Sequence, residues 1–250
     1  MTNSLPDWQR SHYQPGNSQA LVYFVVYGEF TNDVNISRSK YRTAGLPEGF
    51  SLGKVKQKEN SPLPFAESEF GKVVKSAALY ERVQQAPECM VLRGEIPDPP
   101  NLNYLRDAIG AVTFFVDHGG IAVCDPQQFE LYDAEHWRCD IFESGATNLL
   151  KHVKILYSDE PDGRWYHTRG LRKFARPDLS VRGVPRKSSE AVIGLCNRLI
   201  RMQALGGQIP EGQEIRMASL PSGLSCHHGG NLDDPDFNNV HVEILWPKSR

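Results

Sequence analysis

The stretch HVKILYSDEPDGRWYHTRGL, residues 152–171, constrains the fold more than any other in the chain. Val153, Ile155 and Tyr157 alternate with polar residues ahead of Asp162-Gly163, and Trp165 resumes the pattern after it. Alternation is the period of a strand with one covered face, and Asp-Gly is a strong hairpin turn. Strands joined by so short a turn run antiparallel, because a parallel neighbour needs a crossover of roughly a dozen residues or more. IAVCDPQQFELY, 121–132, reads the same way, as two short β runs around a Pro turn. Further strands are expected at 21–27, 89–96, 178–184, 215–220 and 240–246, with a loop between the last two.

Three segments carry helical spacing instead. Residues 66–85 place Phe70, Val73, Val74, Ala77 and Tyr80 on one face, with Glu67 and Glu69 in the first turn and Pro87 beyond the end. Leu102, Leu105, Ile109, Val112 and Val116 form a second stripe that stops at Gly119-Gly120, and 189–205 form a third that stops at Gly206-Gly207. Helices interleaved with hairpin-joined strands predict an α+β fold, a largely antiparallel sheet with helices packed on it. Each half runs strands, helix, strands. The expected division is a flexible arm over 1–18 and two similar α+β halves, 19–147 and 148–250, without a residue-level repeat and able to form a single domain.

A chain of 250 residues has volume for a core that needs no disulfide or metal. Its five cysteines are scattered and never in a C-x-x-C arrangement, so reduced, mostly buried thiols are expected. The longest apolar run, ALVYFVVY at 20–27, is far short of the roughly 18 residues of a membrane span and has the β-branched content of a buried strand. The polar N-terminus lacks the apolar core of a secretory signal, which places the protein in the cytoplasm with no membrane partner. The formal net charge of −2 excludes a globally basic nucleic-acid binder.

Two constellations could carry chemistry. CHHGGNLDDPDFNNVHVEILWP, 226–247, supplies metal-ligand atoms from His227, His228, Asp233, Asp234, Asp236 and His241. Adjacent histidines in a strand point to opposite faces, so His228, Asp234 and His241 are the candidate ligands of a divalent metal. The reading preferred for the same residues is an Asx- and Pro-rich turn cluster followed by a half-exposed strand, with no cofactor. The second constellation, 164–187, holds eight Lys and Arg against Asp178 alone. Arg169, Arg172, Lys173 and Arg176 are its candidate ligand-binding residues, since Arg forks match anionic groups, and Trp165, Tyr166 and Phe174 among them could stack on nucleic-acid bases. The bland counterpart is a sheet edge whose charges deter aggregation. His167, where the strand stops at Gly170, is the candidate general base. No G-x-S-x-G elbow, Cys/His signature or P-loop accompanies it.

GGIAVCDPQQFELYDAEHW (119–137) and HTRGLRKFARPDLSV (167–181) resemble two blocks of uncharacterised bacterial families, domains of unknown function, whose second block runs T-x-G-[LM]-x-x-F-G-x-P-[DE]-L. The chain departs from it at Ala175, where the pattern has glycine. The resemblance spans about a quarter of the chain. It implies a cytosolic bacterial α+β protein and carries over no catalytic residue. The function expected is a binding or interaction module for a protein partner or an anionic ligand, and the alternative is a metal- or histidine-dependent hydrolase.

Overall fold

A computed structural model describes residues 4–31, 35–56 and 77–247. The first sheet is built from β1 (Gln19–Gly28), β2 (Phe50–Lys56), β3 (Glu88–Pro97), β4 (Gly120–Asp125) and β5 (Glu130–Asp133), ordered β2-β3-β1-β4-β5 with every pairing antiparallel. The second contains β6 (Lys154–Glu160), β7 (Gly163–Arg169), β8 (Asp178–Val184), β9 (Glu214–Ile215), β10 (Leu224–Gly229) and β11 (His241–Leu245), ordered β6-β7-β8-β11-β10-β9. Among the described residues, only β8 and β11 pair in parallel. The helices are α1 (Arg38–Tyr41), α2 (Ala77–Gln84), α3 (Asn103–Asp117) and α4 (Ser189–Ala204), with a short α-turn at Ala134–His136 leading into π and 3-10 turns over 137–152. This is an α+β fold, and no described helix is long and apolar enough to cross a membrane.

β1 shows why its sequence is apolar on both faces. Val22, Phe24 and Val26 face the main core beneath α3, whereas Val25 and Tyr27 join a smaller cluster with Leu79 and Val83 of α2 and Ala122 and Cys124 of β4. A strand covered on both sides loses the alternation of a half-exposed one. The main cluster continues without a break into the second half, through Tyr166, Leu179, Val181, Val242 and Ile244 on one face of the second sheet and Val192, Leu195, Cys196 and Ile200 of α4.

Several expectations need correction. The two halves are not alike, since one sheet is antiparallel throughout and the other is mixed with a different strand order. The described part of the arm is packed: Trp8 and Arg10 are 6% and 4% exposed, and Arg10 bonds Asp98 at 2.7 Å and the Phe174 carbonyl at 2.9 Å. The strand expected at 215–220 is the two-residue β9, and β10 occupies what was read as loop. The first expected helix is described only from Ala77, so 66–76 lie outside the described residues. All five cysteines are free, four of them buried and Cys139 exposed.

Candidate ligand-binding site

The 168–178 segment is built around one carboxylate. β7 ends at Arg169, Gly170 takes φ +117°, a 3-10 turn covers Leu171–Phe174, and Ala175 sits at φ +52° before Pro177 leads into β8. Asp178, fully buried, closes this turn: Oδ1 accepts from the Thr168 hydroxyl at 2.8 Å and the Leu171 N–H at 3.3 Å, and Oδ2 accepts from the Asn239 amide at 2.8 Å. Burial pushes its carboxyl up to about 6 against those bonds, which favour the anion. Gly170 is required because a Cβ there would strike the His152 carbonyl oxygen. The left-handed Ala175 marks the place where a glycine is the unstrained choice.

The basic residues of this segment point inward, which overturns the expected exposed cationic surface. Lys173 and Arg176 are 0% and 2% exposed. Lys173 Nζ pairs with Asp125 at 2.6 Å and donates to the His152 carbonyl at 3.0 Å. Burial opposes both charges of that pair, raising Asp125 and lowering Lys173, and their mutual attraction offsets it. Arg176 donates to the carbonyls of Gln14, Ala175, Gly206 and Gly207 and to Asp98, so all five of its N–H groups are used inside the protein. Arg172 joins Glu95 at 2.8 Å and the Asn238 carbonyl at 3.0 Å. Tyr166 and Phe174 are 1% and 0% exposed, so neither can stack on a base.

Arg169 differs. It is fully buried, its Nη1 donates to the carbonyls of Pro235 and Asp236, and its guanidinium lies 4.0 Å over the Phe129 ring. Its Nε and Nη2, which share one edge of the fork, have no hydrogen-bond partner among the described residues. Beside it on the same sheet face, His167 stacks on Trp165 at 4.2 Å, and Phe237 of the 231–239 loop inserts between His167 at 5.6 Å and His241 at 4.3 Å. Of the eight buried side-chain N and O atoms without partners among the described residues, five belong to His167, Arg169, Arg172 and His241. Buried polar groups are ordinarily paired, so such a concentration marks the junction as unusual. Next to it a cavity of about 150 Å³ is lined by Tyr23, Pro126, Gln127, Gly170, Arg172, Asp178, Phe237 and Asn238.

His167 is a poor general base. Burial, reinforced by the charges of Arg169 and Arg182, pulls it down to about 4, leaving the ring neutral and weakly basic near pH 7. The proposed metal set does not assemble: among the described residues no three His, Cys, Asp or Glu side chains are placed to hold an ion. His228 is opposite core residue Val242 and its Nε2 contacts the Ile209 carbonyl at 2.7 Å, whereas His241 is opposite Gly229 on the other sheet face. Asp234 and His241 do approach each other at Gly230, where an added Cβ would lie 3.5 Å from Asp234 Oδ2 and 2.6 Å from His241 Nδ1. The loop itself is held by Asx turns, Asp233 N to Asn231 Oδ1 and Asp236 N to Asp234 Oδ1, each 2.9 Å.

Sequence reasoning missed Asp178 as the organiser of the junction, and it missed Ser225 and Glu211, which flank His227 at 3.0 Å and 2.7 Å. Ser225 and His227 are two apart and share a strand face, a signal readable only once β10 is recognised. Glu211 offers no local signal. No protein-family model, curated protein or solved structure matches this chain.

Proposed function

We propose that the protein is a binding module for a small ligand bearing an anionic group, a carboxylate foremost, taken up at the junction of β7, the 126–129 turn and the 231–239 loop. The observation that carries this reading is the unpartnered Nε/Nη2 edge of a fully buried Arg169. That edge suits a carboxylate through two parallel charge-assisted bonds, and leaving two buried N–H-bearing nitrogens of a guanidinium without an acceptor is costly even though Nη1 is bonded. The nearby cavity, about 150 Å³, is lined by Gly170 and Arg172 of the turn and not by Arg169 itself, and it lies well under the roughly 300–1,000 Å³ of drug-sized sites, so the ligand is small. Arg172 and Asp178 are the charged residues of its lining, which suits a molecule with an anionic end and a hydrogen-bond donor.

The test is thermal denaturation and calorimetry with acetate, glycolate, glycine and inorganic phosphate at constant ionic strength. A ligand present at a hundred times its Kd adds about 2.7 kcal/mol, which is roughly 5–11 °C for a chain of this size. At least one carboxylate is expected to stabilise the wild type, and Arg169→Lys, which keeps the charge but loses the fork, is expected to abolish the response. A wild type indifferent to every probe, or a variant that responds as well as the wild type, refutes the reading.

A further inference from the structure

Away from that junction, on the solvent-facing side of β10, three polar side chains are joined in a line. Ser225 Oγ lies 3.0 Å from His227 Nε2, and His227 Nδ1 lies 2.7 Å from Glu211 Oε1. The other Glu211 oxygen, Oε2, accepts the backbone N–H of His228 at 2.7 Å. The arrangement has a local cause. Strand period puts Ser225 and His227 on one face, and the turn before β9 brings Glu211 back against the β10 backbone, where the His228 N–H fixes its carboxylate. That N–H bond first, and the His227 ring second, hold the Glu211 carboxyl below its ordinary range.

We propose that Ser225, His227 and Glu211 form a nucleophilic acyl-transfer triad. Ser225 Oγ is the nucleophile, His227 Nε2 the base that receives its proton, and Glu211 the positioning residue that fixes the tautomer with the proton on Nδ1. With an aryl ester, Oγ attacks the acyl carbon while its proton passes to Nε2. The bond to the aryloxide breaks, the imidazolium gives that proton to the departing oxygen, and an acyl-Ser225 ester remains beside a neutral imidazole. Water then attacks that ester and gives up a proton to the imidazole. The carboxylic acid leaves, and the proton returns to Oγ.

The strand setting also fixes the substrate class. Ser225 is paired in register with Glu214 of β9 on one side and Leu245 of β11 on the other, so its own backbone belongs to the sheet and supplies no dedicated oxyanion donor. A triad without that stabilisation acts on substrates whose leaving group needs no help, activated esters of short acyl chains, and not on amides. The His227 and Glu211 side chains are 43% and 59% exposed, so such a substrate reaches the line directly from solvent.

The experiment uses the full-length protein with p-nitrophenyl acetate and with a fluorophosphonate probe detected by intact mass. The expected result is a single covalent adduct and slow nitrophenol release, both lost in Ser225→Ala. His227→Gln is expected to slow release by about 100-fold. Glu211→Gln retains the adduct but lowers kcat at an unchanged KM, because the imidazole loses the carboxylate that orients it while the substrate still binds from solvent. Melting curves of the three variants should match the wild type, since Glu211 is exposed, Ser225 and His227 are only half-buried, and each substitution keeps the backbone pairing of β10. No adduct on the wild type, an adduct that persists in Ser225→Ala, or an unchanged rate in His227→Gln overturns the proposal.

Discussion

Lys173→Met separates a structural lysine from a ligand-binding one. A lysine serving a surface site leaves stability within about 0.5 kcal/mol when replaced. Lys173 is instead wholly buried, 2.6 Å from an equally buried Asp125, with a second bond to the His152 carbonyl at 3.0 Å. Methionine fills most of the same volume but strands the Asp125 charge, which costs about 3–5 kcal/mol, and leaves a carbonyl without its donor, about 1 kcal/mol more. A loss of about 4–6 kcal/mol takes a large share of the roughly 5–15 kcal/mol that holds a domain together, and corresponds to about 8–24 °C in Tm. Urea unfolding followed by tryptophan fluorescence measures it. Adding Asp125→Asn removes the stranded charge while keeping an acceptor for the Gln127 N–H, 3.1 Å from Oδ1, so the double variant should regain at least about 2 kcal/mol. A single-variant loss under about 1 kcal/mol, or a double variant no better than the single, refutes the ion-pair reasoning.

Acid should destabilise the fold through its buried histidines. His152 and His167 lie near 3 and 4 in the folded state, so their contribution is present above pH 6.5 and lost as pH falls, down to about 3 for His152 and about 4 for His167. Asp178, near 6, works the other way, its contribution present below pH 3.8 and lost as pH rises through 6. His167→Gln is therefore expected to flatten the fall in stability between pH 6.5 and 4 by up to about 1.4 kcal/mol per pH unit, and slopes equal to those of the wild type in urea titrations at several pH values contradict this. At the turn, Ala175→Gly is expected to leave stability unchanged or raise it by about 0.5 kcal/mol, the relief of a left-handed alanine outweighing the added chain entropy. Gly170→Ala, forced against the His152 carbonyl at positive φ, is expected to cost about 2 kcal/mol or more by the same unfolding assay, and a neutral result there contradicts the account of the turn.

The sequence by itself determined the local elements that are governed by short-range rules. The β6–β7 hairpin followed from Asp162-Gly163, the stop of α3 from Gly119-Gly120, and the turn cluster of 231–239 from residues that bond their own backbone. The parallel pairing of β8 with β11 was decided only in three dimensions, because strand order depends on contacts distant in the chain. Tertiary structure likewise decided where the charges of 169–176 point. Lys173 and Arg176 read as a solvated patch because composition reports charge without reporting acceptors. Their acceptors, Asp125, Asp98 and the carbonyls of Gly206, Gly207 and Gln14 in the N-terminal arm, lie between about 30 and 160 positions away and meet them only when the two sheets close on one core.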